Sequence, residues 1–219
     1  MKILFWNVDT QKDFVNKDGK LAVENAVNIK TKLKSLTQLA KDYDVQVVNT
    51  ADFHRIDDAE LSKEPDFMTT FPYHCIENSE GAEFIDETKP ADSANNVTIN
   101  YNDAEVNVNQ LYNAQNIIIR KNKFDVFEGN PYTSQVLDIL GPDIVVVYGV
   151  ATNVCVNCAV LGLASRGYKV VVAMDAIKEL PNLDVHNIMC DWEKIGVKKA
   201  SVKTVKLLVE LLKEDNYGN

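Results

Sequence analysis

The chain has 219 residues, 46% hydrophobic and 25% charged, with nine glycines and six prolines, which excludes collagen-like or low-complexity character. Its formal net charge of −9 argues against a nucleic-acid backbone or an anionic membrane surface as partner, because like charges repel. No apolar run approaches the roughly 20 residues that span a bilayer, and Asp9 follows the opening apolar run too soon for a secretory leader.

Residues 3–6 form a short, wholly apolar run, the pattern of a strand covered on both faces. Ala26, Ile29, Leu33, Leu36 and Ala40 then recur at spacings of three and four, an apolar stripe along one helix face. Residues 45–48 read as a second strand. Between Thr88 and Tyr112 the pattern changes. Val97, Ile99 and Tyr101 alternate with polar residues, as do Val106 and Val108, with Asn102-Asp103 between them. That alternation predicts a small inserted hairpin with one face solvated. Strands resume at residues 117–119 and 144–148. A helix follows over about residues 153–166, closed by Gly167 as its C-terminal cap. A strand at residues 170–173 and a helix near 204–212, with Val205, Leu208 and Leu212 inward, complete the series. Strands alternating with helices predict right-handed crossovers and one three-layer α/β/α domain over residues 1–219, with a mainly parallel central sheet.

In such sheets ligands bind beyond the carboxyl ends of the strands. Asp9 follows the first strand, Asp52 and His54 the second, Lys121 and Lys123 the third. The fourth runs into Gly149-Val150-Ala151-Thr152-Asn153-Val154-Cys155. Cys155 falls in the first turn of a predicted helix, where unpaired N–H groups favour a thiolate and can hold an oxyanion. A packing cysteine between Val154 and Val156 accounts for the position equally well. Cys155 and Cys158 form a C-x-x-C, but no second Cys or His pair stands at zinc-finger spacing, so Cys158 reads as a packing residue. With Cys75 and Cys190 standing alone, a reduced, cytoplasmic thiol chemistry is expected.

Asp52 and His54 are two apart and point to one side of an extended chain; His74 lies twenty residues on. One carboxylate and two imidazoles are a common open-site ligand set for a divalent metal, although isolated histidines are often structural. His186 reads as structural, Asp57, Asp58 and Glu60 as a solvated acidic turn from which one carboxylate could approach the metal through a water, and Asp13 as a turn or cap residue.

Five blocks in register resemble the isochorismatase-like cysteine hydrolases, and among them the nicotinamidases. They are Val8-Asp9-Thr10-Gln11-Lys12-Asp13-Phe14, Asp52-Phe53-His54, Phe71-Pro72-Tyr73-His74-Cys75 leading to Gly81-Ala82-Glu83, Lys121-Asn122-Lys123-Phe124-Asp125-Val126-Phe127, and the segment from Gly149 to Cys155. The resemblance implies a catalytic triad of Asp9, Lys121 and Cys155, with Lys121 preferred to Lys123 for its position six residues before Phe127. It implies a cis peptide at Val150-Ala151, an oxyanion hole from the N–H groups of Ala151 and Cys155, and Asp52, His54 and His74 as ligands of zinc, manganese or iron. The expected partner is a small amide substrate, nicotinamide first, with Phe14 and Phe71 against its ring. Lys121 and the helix terminus are expected to favour the Cys155 thiolate. Another small amide, a carbamoyl or ureido compound, or a catalytically silent binding subunit are the alternatives. The resemblance allows a homo-oligomer without marking an interface. Phe53 and Phe71 stand where many nicotinamidases carry tryptophan, and Glu77-Asn78-Ser79 replaces their Gln-Gly-Thr.

Overall fold

Runs rich in β-branched residues, too short for buried helices, form seven strands of one sheet in a computed structural model that describes residues 1–91, 95–181 and 184–217. The strands are β1 Ile3–Val8, β2 Val47–Asp52, β3 Asn96–Ile99, β4 Asn116–Lys121, β5 Ile144–Val150, β6 Lys169–Lys178 and β7 Lys198–Ala200. Their order is β3-β4-β2-β1-β5-β6-β7, and every neighbouring pair is parallel. The helices are α1 Lys12–Val15, α2 Lys30–Asp42, α3 Val108–Asn113, α4 Val126–Gly129, α5 Thr133–Leu140, α6 Cys155–Ser165, α7 Val185–Lys194 and α8 Val202–Tyr217. Among the described residues no helix is long and apolar enough to cross a membrane.

The sheet separates two apolar cores. On one face Leu33 and Leu36 of α2 and Val205 and Val209 of α8 meet Phe5, Val47 and Val146. On the other, Leu111 of α3, Leu137 of α5, Val156 and Val160 of α6 and Trp192 of α7 meet Leu4, Trp6 and Val145. The three-layer α/β/α arrangement is thus the one the sequence predicts. Strands β1 and β5 are buried at every position, which explains their unbroken apolar runs. Ala26 and Ile29, at the start of the predicted helical stripe, sit in a separate 3-10 turn before α2.

The hairpin expected near residues 88–112 is not formed; residues 92–94 of that stretch lie outside the described residues. Val97 and Ile99 belong to β3, a parallel edge strand that pairs with Ile117 and Ile119. Ile99 is buried while Thr98 points to the exposed face, so the alternation records an edge strand with one covered side. Asn102-Asp103 does make a turn, in which the Asp103 carboxylate accepts from Asn100 N–H at 2.7 Å. The chain then enters α3, capped by the Asn107 side chain, and Leu111 points into the core. Two alternating residues, Val106 and Val108, were too short a pattern to outweigh that cap.

Strand β1 lies between β2 and β5, where the order of strand addition reverses, so the carboxyl ends of β1, β2, β4 and β5 surround one crevice. Two backbone features shape its floor. Asp9 turns the chain away from β1 at φ 47°. Gly149 has φ 119°, and a Cβ there would lie 2.0 Å from Val8 O, so only glycine lets β5 pass β1 at this point.

Candidate active site

Strand alternation sets which side chains meet in the crevice. Asp52 of β2 and Lys121 of β4 are register partners and point to the same side. The Lys121 ammonium is hydrogen-bonded to Asp52 Oδ1, stands 3.0 Å from Asp9 Oδ2, and lies 3.8 Å from Cys155 Sγ. Lys123, one residue past the strand's next position, is exposed and pairs with Glu128. Asp9, Lys121 and Cys155 therefore share one buried locus, with Asp52 as a fourth member.

Burial and charge compete there. Burial pushes Asp9 upward, and the Lys121 ammonium only partly reverses it. Burial would raise Asp52 as well, but Lys121 and two imidazoles hold it well below the usual carboxylate range. Burial would lower Lys121, yet Asp52 and Asp9 keep its pKa well above the ordinary amine value. The expected lowering of the Cys155 thiol is corrected: burial pushes it well up, and Lys121, opposed by Asp9 and Asp52, does not reverse this. Thr50 donates to Asp9 Oδ1 at 2.5 Å, whereas Asp9 Oδ2 accepts no aligned hydrogen bond. The pair is thus a thiol of raised pKa beside a carboxylate of raised basicity whose Oδ2 faces the Lys121 ammonium.

Asp52, His54 and His74 bring one ligand atom each to within 4.8 Å of one another, all buried. His54 Nδ1 lies 3.2 Å from the Asp58 carboxylate, and His74 Nδ1 lies 2.6 Å from Pro72 O. Both partners only accept, so a neutral ring carries its proton on Nδ1 and turns a bare Nε2 inward. His54 Nε2 has no hydrogen-bond partner, and His74 Nε2 faces Asp52 Oδ2 at 3.4 Å, acceptor against acceptor. A cation between them satisfies all three, and the Asp58 and Pro72 contacts are the usual second support of metal-bound imidazole. Burial works against protonation of His54, but Asp52 prevails and raises its pKa, another sign that the site draws positive charge. The residues fit a divalent metal. The grouping of Asp9, Asp52 and Cys155 does not need one, since Lys121 already stands among them.

The Val150-Ala151 peptide is cis. In the turn that follows, Val154 N–H and Val156 N–H donate to Ala151 O and Thr152 N–H to Lys178 O, while the N–H groups of Ala151 and Cys155 have no acceptor among the turn's bonds. They are available to an anionic oxygen beside Cys155 Sγ. Above the sulfur is a small apolar cavity walled by Phe14, Phe71, Phe124, Leu180 and Val154, with His74 and Asp52 at one side. Phe14 and Phe71 flank His74, with ring centroids 5.2 and 6.4 Å away. Larger clefts occur elsewhere, one at the opposite end of the strands around Lys2 and Gln46, but neither it nor the cleft beside Arg120 gathers a comparable set of reactive groups among the described residues.

Glu60 was expected in a solvated turn and instead lines this cavity, where its Oε2 accepts from Phe124 N–H at 2.7 Å. No local signal separates it from exposed Asp57; only the path of the loop does. Thr50, whose hydroxyl reaches Asp9, is a further site residue that the motifs do not mark; its signal is a polar residue two before Asp52 on a buried strand. Burial, aided by Asp52, raises Glu60 to about 7 against 4.5 for an ordinary glutamate. The fold therefore favours protonated Glu60, and stability falls as pH rises from about 4.5 to about 7. In chelator-treated protein Glu60→Gln should be about 1–2 kcal/mol more stable than the parent near pH 8, after allowance for solvent screening, and no more stable near pH 4. Thermal melts at the two pH values decide it. An equal difference at both would remove Glu60 as the source.

A parallel α/β sheet thus carries a thiol, an amine and a carboxylate at its switch point, beside an Asp-His-His cluster. Residues 103–192 match the family described as Isochorismatase domain. Over 77 residues it is 35% identical to the nicotinamidase/pyrazinamidase of Mycobacterium tuberculosis, a match spanning 35% of this chain and 40% of that enzyme. Among solved structures it is similar to nicotinamidase PncA from Bacillus subtilis, with a TM-score of 0.73 at 21% identity, covering 92% of this chain and 100% of that one. A pyrazinamidase of Pyrococcus horikoshii in complex with zinc superposes with a TM-score of 0.70 at 23% identity, covering 92% and 99%.

Proposed function

We propose that this chain is a cysteine amidohydrolase that cleaves a small heteroaromatic carboxamide, nicotinamide first, to the acid and ammonia. The observation that carries it is the Cys155 sulfur 3.8 Å from an ammonium that also touches Asp9 and Asp52, beneath an aromatic-walled cavity. The relatives named nicotinamidase and pyrazinamidase support the choice of substrate.

Asp9 takes the Cys155 proton as the sulfur attacks the amide carbon, so charge moves from carboxylate to the developing oxyanion rather than to a free thiolate. The N–H groups of Ala151 and Cys155 receive that oxyanion. Lys121 stays charged throughout and keeps the negative charge of the locus balanced. Asp9 then gives its proton to the departing nitrogen, releasing ammonia and leaving a thioester on Cys155. A water that loses its proton to Asp9 attacks the thioester, and the proton returns to the sulfur as the acid leaves. Phe14 and Phe71 hold the ring by its faces, and the apolar walls exclude bulk water. A divalent ion held by Asp52, His54 and His74, zinc first, would supply an electrophilic anchor for the ring nitrogen. The four cysteines, none in a disulfide, fit a reducing cytoplasmic setting.

Ammonia release from nicotinamide and pyrazinamide by the purified protein, paired with metal analysis, tests the reading; no release from either would end it. His54→Ala should weaken metal binding by about 10- to 100-fold and raise KM, with Cys155 still in place. An unchanged KM would discard the anchoring role of the metal.

A further inference from the structure

Gln11 is completely buried, and its side-chain amide is spent almost entirely on one other residue. Its Oε1 accepts from Asp52 N–H at 2.8 Å, and its Nε2 donates to Asp52 O at 2.7 Å and to Ala82 O at 2.9 Å. The reason lies in how β1 ends. Pairing of β1 with β2 stops at Val8 opposite Thr50, after a last bond from Asp9 N–H to Thr50 O. Asp9 then turns off at φ 47°, which leaves the β1-facing N–H and C=O of Asp52 without a strand. The Gln11 amide, one donor and one acceptor in a plane, takes the place of the missing peptide. On its other side β2 continues to pair with β4 as far as Lys121.

Asp52 is the residue whose aim matters most. One carboxylate oxygen meets Lys121, and the other lies 3.4 Å from His74 Nε2 and 3.8 Å from His54 Nε2. Both peptide groups flanking its Cα must be fixed for both oxygens to be directed, and Gln11 fixes them from the side that the sheet abandons. The second Nε2 bond, to Ala82, ties this clamp to the loop that follows His74 and Cys75.

We propose that Gln11 is a positioning residue that sets the Asp52 carboxylate for metal binding. The inference rests on Asp52, His54 and His74 being metal ligands. Gln11→Glu keeps the acceptor for Asp52 N–H but opposes an oxygen to Asp52 O and Ala82 O. Gln11→Met removes all three bonds at nearly constant volume. Zinc affinity, measured by competition with a chromogenic chelator, should fall about 10- to 100-fold in each variant that folds, and the visible spectrum of the cobalt-loaded form should change. A role in stability alone would lower the melting temperature and leave zinc affinity within about twofold of the parent, which would overturn the proposal. Should neither variant fold, the parent protein decides by NMR: both Gln11 side-chain N–H protons should exchange slowly and shift when zinc is added, and rapid exchange or unmoved resonances would refute the clamp. Failure of the parent to bind zinc removes the metal reading itself, whereas tight binding by parent and variants alike removes only the role of Gln11.

Discussion

Cys155→Ala should abolish ammonia release, by about 10⁵-fold or more, while zinc binding and the melting temperature stay close to those of the parent. The two outcomes separate because the thiol is not one of the three side chains that would hold the metal, although Asp52 lies beside both. The thiol meets Lys121 at 3.8 Å and the Asp9 carboxylate, and its removal leaves Lys121 bound to Asp52 and beside Asp9. Loss of one buried sulfur costs only about 1 kcal/mol of packing. Cys155→Ser should also fail, because an alcohol is far harder for Asp9 to deprotonate than a thiol. Ammonia release from the alanine variant near the parental rate would exclude attack by sulfur. Retained binding of the substrate by the inactive protein, followed by calorimetry, would place the defect in the chemical step.

The largest effect on stability is expected from Lys121→Met. The ammonium is 1% exposed and lies between the carboxylates of Asp9 and Asp52, themselves buried. Removing it leaves two buried carboxylates without their shared cation, at a cost of about 3–5 kcal/mol. The pH dependence follows from the shifts. In the parent, Asp52 is held below its ordinary value of 3.8, so its contribution is complete above that pH and is lost only as pH falls further. Lys121 is held above 10.5, so its contribution is complete below that pH and is lost only as pH rises further. Neutral pH lies inside both windows. In the variant, burial raises both carboxylates with the imidazoles at Asp52 and the Thr50 hydroxyl at Asp9 left to oppose it, and stability falls as pH rises through their raised values. Urea titrations should therefore show the deficit greatest near pH 8 and shrinking toward pH 5. A deficit independent of pH would mean that lost packing of the lysine stem, and not lost charge balance, is the cause.

Local pattern was a good guide wherever the physics was local. β-branched runs marked β1 and β5 because both faces of those strands are covered, and the spacing of Leu33 and Leu36 marked α2 because one face of that helix is. The turn from β5 into α6 placed Cys155 correctly, since strand, glycine-bearing turn and helix start are contiguous in the chain. Asp52 and His54 were legible as a pair because alternate residues of an extended segment share a side.

What lay beyond reach of the sequence depends on which chain-distant groups become neighbours. Val97 and Ile99 show the same alternation in a hairpin arm or a parallel edge strand, and only the presence of β4 chose the latter. The resemblance preferred Lys121 to Lys123, and β4 supplies the physical reason by setting it opposite Asp52 while Lys123 reaches solvent. The state of the Cys155 thiol could not be had from its place at a helix start, because the largest influence on it is burial by segments distant in the chain. Glu60 entered the cavity, and Gln11 replaced a strand, for the same reason. A sequence carries periodicity and turn chemistry along the chain, whereas burial, charge pairing and the fate of an unpaired peptide group are settled only where separate segments meet in space.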